Sequence, residues 1–159
     1  YFIKKKISNK KISKNVKINR NKEINYGLEK ISTYKMFSQR VKNSKKKLKE
    51  IFVKINLENK KIIGYGVTAK STTILNYCKI DNKFISYFVD TTVDKQNKYT
   101  PGTKIPINKY SGSIEKDVDY IFLGAWNFKE EIFKKEKNFI KRGGKFIIHT
   151  PVPKIIWKR

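Results

Sequence analysis

Apolar positions fall into a helical rhythm from residue 34 onward. Tyr34, Phe37, Val41, Leu48, Ile51, Phe52 and Ile55 recur mostly at spacings of three, four and seven, with lysines between them. That pattern predicts an amphipathic helix over residues 32–56, with Ser32 or Thr33 as its cap. Upstream, residues 4–31 are rich in Lys, Asn, Ser and Ile without sustained period. Residues 1–31 therefore read as a basic linker with room for a short helix. Downstream, apolar runs at 61–64, 84–89, 105–107, 120–123 and 145–149 predict strands, and 69–77 and 129–141 predict helices. Gly143-Gly144 stops the last helix, and Pro151 and Pro153 stop the last strand, leaving 154–159 as a tail. Strands alternating with helices imply an α/β, Rossmann-like domain over 57–153: a mostly parallel sheet of about five strands with flanking helices, preceded by the long amphipathic helix.

In such a sheet a ligand lies beyond the carboxyl ends of the strands, where strand order reverses. Gly64, Gly66 and Ala69 match the glycine pattern of a strand, tight turn and helix start, and Asp90 closes a later apolar run where a ribose-binding carboxylate would stand. By this pattern the first glycine permits the turn and the second admits a pyrophosphate. If 61–64 and 120–123 are neighbours, Gly64-Tyr65-Gly66 faces Gly124-Ala125-Trp126-Asn127. The helix start offers backbone N–H groups to an anion, with Lys70 as a charge and Ser71 as a hydroxyl. Lys95 and Gln96 lie in a polar loop, 91–104, longer than such units need, and Trp126 with Asn127 suits stacking on a base or sugar. Each has a plainer reading: Lys70 as a solvated lysine, Trp126 as packing under the last helix, and Asp90 as a partner for any ribose diol. His149 reads as a structural histidine and Cys78 as an inert core thiol.

Composition adds bounds. The formal charge of +25 would ordinarily point to nucleic acid. However, lysine outnumbers arginine 34 to 4, and Ile and Asn are also frequent, so A/T-rich codon usage accounts for much of it. Readers of phosphate by bidentate contact favour arginine, so no specific nucleic-acid partner is expected. A single cysteine and a single histidine exclude an internal disulfide and a Cys/His zinc cluster, and fit a reducing, cytoplasmic setting. No apolar run approaches the ~20 residues of a membrane span. Paired carboxylates and a nucleophile elbow are both missing, so the chain reads as equipped to bind a ligand but not to catalyse a reaction.

The ordered motifs resemble a known family. Residues 64–78, Val89-Asp90, Lys95-Gln96, residues 98–103, Ile105-Pro106-Ile107, residues 125–128, Glu131-Ile132 and residues 143–147 are similar to the C-terminal domain of S-adenosylmethionine-dependent sugar C-methyltransferases, over about 32–153. The resemblance implies a three-part enzyme: an N-terminal zinc-binding region, a middle methyltransferase domain that carries S-adenosylmethionine and a Tyr/Glu/His group, and this domain. It implies that the present domain helps bind a nucleotide-diphosphate sugar, and the residues read above as candidates become its expected contacts: Gly64, Tyr65, Gly66, Ala69, Lys70, Ser71, Asp90, Lys95, Gln96, Trp126 and Asn127. No catalytic residue, cofactor site or zinc ligand is carried onto this chain. The methyltransferase domain is expected in cis or as a separate chain, and Tyr1-Phe2-Ile3 resembles its last strand. Lys104 stands where the family more often has histidine, and Val93 where it often has proline. Two other readings stay open at this point: an NAD(P)-binding oxidoreductase domain, and a basic nucleic-acid-binding module.

Overall fold

The computed structural model describes residues 11–157. Tyr1-Phe2-Ile3, expected as the end of a strand, lies outside them. The chain divides into two compact units, 1–41 and 42–159. In the first, helix α1 (Lys14–Asn25) occupies the stretch read as linker and buries no residue. Gly27, at φ +77°, turns the chain into helix α2 (Ile31–Leu57), where the Thr33 hydroxyl donates to the Gly27 carbonyl at 2.8 Å. Of the predicted apolar stripe, Tyr34 and Phe37 remain exposed; burial in α2 begins at Leu48 and continues through Phe52 and Ile55.

The second unit is built on strand β1 (Ile62–Tyr65), helix α3 (Ala69–Cys78), strand β2 (Phe88–Asp90), a two-residue strand β3 (Lys98–Tyr99), strands β4 (Pro106–Lys109) and β5 (Tyr120–Leu123), helices α4 (Lys129–Lys135) and α5 (Lys137–Lys141), and strands β6 (Lys145–Ile148) and β7 (Lys154–Ile156). Sheet order is β3-β4-β2-β1-β5-β6-β7. The five inner strands run parallel, and β3 and β7 join the edges antiparallel. Strand order thus reverses across β1 and β5, the position at which parallel α/β sheets open a crevice.

Both faces are covered, which is why the inner strands read as continuous apolar runs. Successive residues alternate between two cores. Ile62, Phe88, Ile107, Phe122 and Ile147 join α2 and α3, through Leu48, Phe52, Ile55, Leu75 and Cys78. Ile63, Tyr65, Val89, Ile121, Leu123 and Phe146 join α4 and α5, through Ile132, Phe133 and Phe139. No helix among the described residues is long and apolar enough to cross a membrane.

The sheet has seven strands against the about five predicted, since β3 forms within the predicted loop and β7 within the predicted tail, and the largest shifts in boundary are three. Strand β2 is shorter, because Asp81 makes a turn over the start of the apolar run: its carboxylate accepts from Lys83 N–H and its carbonyl from Phe84 and Ile85 N–H. The helix over 129–141 is broken at Glu136. The first half of the predicted tail is β7, whose Ile155 and Ile156 pair with Ile147 and Phe146.

Candidate functional site

The site begins where β1 ends. Gly64 lies inside β1, paired with Phe88 and Phe122, and a methyl group there would stand 2.2 Å from the Phe88 ring. Its smallness makes room for the core. Gly66 makes the turn, with φ +77°, and an added Cβ would lie 2.6 Å from that of Ala125. Gly124 brings β5 against the same turn, since a side chain on it would meet the Gly66 carbonyl at 2.0 Å. The two loops predicted to face each other are thus in contact.

Thr68 and Ser71 then cap α3 reciprocally. The Thr68 hydroxyl accepts from Ser71 N–H at 3.1 Å and the Ser71 hydroxyl from Thr68 N–H at 2.9 Å. Ser71 is 1% exposed and also donates to the Thr68 carbonyl, so its hydroxyl serves the cap.

Asp90 ties the end of β2 to this turn. One carboxylate oxygen accepts from Val67 N–H at 2.7 Å, the other from Thr92 N–H at 2.8 Å. Burial pushes its pKa up, but hydrogen bonds from the Thr92 and Val67 backbone and from the Thr92 side chain, with the nearby Lys95 charge, outweigh that and hold it below the ordinary carboxylate value. The long loop after β2 folds back over the turn: Lys95 Nζ donates to the Val67 carbonyl at 2.7 Å and lies 3.5 Å from Asp90, while Gln96 Nε2 donates to the Asp90 carbonyl at 3.1 Å.

Beyond the strand ends these pieces border a cleft of about 350 Å³. Of the candidate binding residues named from the sequence, Tyr65, Gly66, Asp90 and Lys95 line it. Gly64, Ala69, Lys70, Ser71, Gln96, Trp126 and Asn127 are not among its lining residues. Lys70 instead holds its ammonium 5.8 Å from the Trp126 ring centre. Tyr110, Phe128, Glu131 and Lys135 also border the cleft; Phe128 and Glu131 fall within the motifs of the family resemblance without a predicted binding role, and Tyr110 and Lys135 escape sequence reasoning. Phe128, an exposed aromatic, directly follows the Trp126-Asn127 pair.

The floor holds a buried polar cluster. Tyr110 donates its phenol to Glu136 Oε1 at 2.6 Å, its ring lies 5.4 Å from that of Tyr65, and Lys135 Nζ stands 4.2 Å over it. Burial first, and then the Glu136 charge and hydrogen bonding, push the Tyr65 phenol far up; burial and the Glu136 hydrogen bond push Tyr110 up to about 12. Both phenols are therefore neutral donors at any working pH. His149 lies outside the cleft, stacked on Phe122, with Nδ1 2.8 Å from the Thr150 hydroxyl. Among the described residues no group of three or more His, Cys, Asp and Glu is placed to hold a metal ion.

A family model described as the C-methyltransferase C-terminal domain matches residues 1–153. The chain is also 33% identical over 134 residues to C-methyltransferase NovU from Streptomyces niveus. That alignment covers 84% of this chain and 32% of the relative, so the chain spans about a third of the relative's length.

Proposed function

This chain belongs to the C-methyltransferase C-terminal domain family, and from that premise we propose that its cleft holds a nucleotide-diphosphate sugar for carbon methylation by the whole enzyme. The observation that carries the reading is the cleft at the β1/β5 reversal, which combines an aromatic face at Phe128, neutral phenols on the floor and ammonium groups at Lys95 and Lys135. An aromatic ring suits a base, phenols suit sugar or base polar groups, and cations suit a diphosphate.

S-adenosylmethionine, held in another domain, would supply the methyl group. Asp90 supports that placement, because its carboxylate already accepts from the Val67 and Thr92 backbone and the Thr92 side chain and pairs with Lys95, which leaves little acceptor capacity for a ribose diol. The same observation tells against NAD. A base in the other domain would remove the proton beside a keto group of the sugar, and the resulting enolate carbon would be methylated. Residues 57–153, extended by β7, would hold the sugar nucleotide in line for that attack, a contribution of position and not of acid–base chemistry. Zinc would belong to a separate N-terminal region, and the nucleotide-sugar substrate implies work in the cytoplasm.

Isothermal titration of the chain with thymidine-, uridine- and guanosine-diphosphate sugars tests this. One of them is expected to bind, and Phe128→Ala, at an exposed position, to weaken it by about 0.5–1.5 kcal/mol, the worth of an aromatic contact. Absence of heat from every nucleotide sugar, with the chain folded by circular dichroism, sinks the reading.

A further inference from the structure

We propose that Lys135 is the cation that receives the phosphate in this cleft, and that buried Glu136 positions it through Tyr110. The inference deepens the nucleotide-sugar reading and rests on it.

Two ammonium groups line the cleft, and they differ in how far they are committed. Lys95 spends its amine on the Val67 carbonyl at 2.7 Å and on Asp90 at 3.5 Å, holding the long loop to the glycine turn. Moving it to a ligand would leave Asp90 without its one ion-pair partner. Lys70, the cation nearest the start of α3, is drawn to Trp126 and does not line the cleft. Lys135 is exposed, and among the described residues no carboxylate lies within ion-pair distance of it; its partner is the face of Tyr110. A lysine on a ring face keeps N–H donors free on the side away from the ring. Carboxylates also border the space: Asp90, already satisfied by backbone donors, and Glu131 on α4. They bring no donor to an anion, so of the two cations that line the cleft Lys135 is the one uncommitted to a protein carboxylate or carbonyl among the described residues.

Tyr110 fixes where that ammonium stands, and Glu136 fixes Tyr110. Glu136 is 3% exposed and falls at the break between α4 and α5, where its N–H donates to the Ile132 carbonyl and its own carbonyl accepts from Ile140. Its backbone is thus clamped directly after Lys135. A carboxylate so deeply buried needs hydrogen-bond donors, and Tyr110 supplies one at 2.6 Å. The phenol cannot turn without abandoning that bond, and the Tyr65 ring beside it closes the other side. The plainer view, in which Lys135 only complements the dipole at the end of α4, gives the residue a share in helix stability and none in ligand affinity.

Calorimetric titration of the full chain with thymidine diphosphate, and with thymidine as the uncharged control, separates the two. Lys135→Gln is expected to lower diphosphate affinity about tenfold, the weight of one charge-assisted hydrogen bond, and to leave thymidine unaffected. Lys135→Arg restores most of it. Tyr110→Leu costs about as much, and the double variant loses about tenfold in all, well short of the hundredfold expected of independent sites. Should Tyr110→Leu fail to fold, Tyr110→Phe, which keeps the ring and loses the Glu136 bond, takes its place. Undiminished diphosphate binding by Lys135→Gln, or effects that multiply in the double variant, overturns the inference while the wild-type affinity leaves the nucleotide reading standing. A wild-type chain that takes up neither ligand removes both.

Discussion

Burial leaves the His149 imidazole with one hydrogen bond, to Thr150, and a second nitrogen with no partner among the described residues. Desolvation pushes its pKa from 6.5 down to about 4. The unfolded chain therefore binds a proton near pH 6.5 that the folded chain refuses until about pH 4. Stability falls as pH drops through that window, by up to about 3 kcal/mol, and is flat in this term above it. Because the chain has a single histidine, urea unfolding at pH 7 and at about pH 5.2, above most of the carboxylate range, reads the effect, and His149→Phe is expected to remove most of the difference. Equal wild-type stability at the two values would rule the account out. Asp90, with its pKa held below the ordinary carboxylate value, is lost only at lower pH. The glycines show how far single residues can be read from sequence. Their pattern places the turn, but it gives Gly64 the turn that Gly66 makes. What Gly64 accommodates is the Phe88 ring, brought there by strand pairing and invisible to local spacing.

Helix α3 ends on a residue chosen against its backbone preference. Lys79 takes the left-handed conformation at φ 55°, and its N–H and that of Ile80 close the last turn onto Asn76 and Leu75. This is the position where glycine avoids the Cβ penalty. Lys79 is exposed, so Lys79→Gly is expected to stabilise the protein by about 0.5–1 kcal/mol, seen as a higher urea midpoint at constant slope. A lower midpoint would mean that the lysine chain does something the backbone argument misses. The inner strands and α3 were legible because their apolar runs carry the period of the element. The break between α4 and α5 was not, since Ile132, Phe133, Phe139 and Ile140 keep a helical rhythm across it; Glu136 interrupts them for the sake of Tyr110, which belongs to the segment after β4. Strand β7 was lost for a related reason, as three residues offer no period and the edge of β6 supplies the pairing.

Charge and core are distributed differently along the chain. Residues 1–60 carry 19 Lys and Arg against 4 Asp and Glu. Every residue of both core clusters lies at Leu48 or beyond, and every residue bordering the cleft at Tyr65 or beyond. The boundary between the compact units falls inside α2, after Val41, ahead of its first buried residue. Cutting there removes much like charge and, among the described residues, none that belongs to either core cluster. A chain of residues 42–159 is therefore expected to melt within about 3 °C of the full chain, since a change well under 1 kcal/mol moves a domain of this size by no more. It should bind the same nucleotide sugar with unchanged affinity and elute from an anionic resin at lower salt, because fewer lysines engage the resin at once. The family model nonetheless extends back to residue 1. If truncation left stability intact but abolished nucleotide-sugar binding, the reading that assigns binding to residues 42–159 alone would fall.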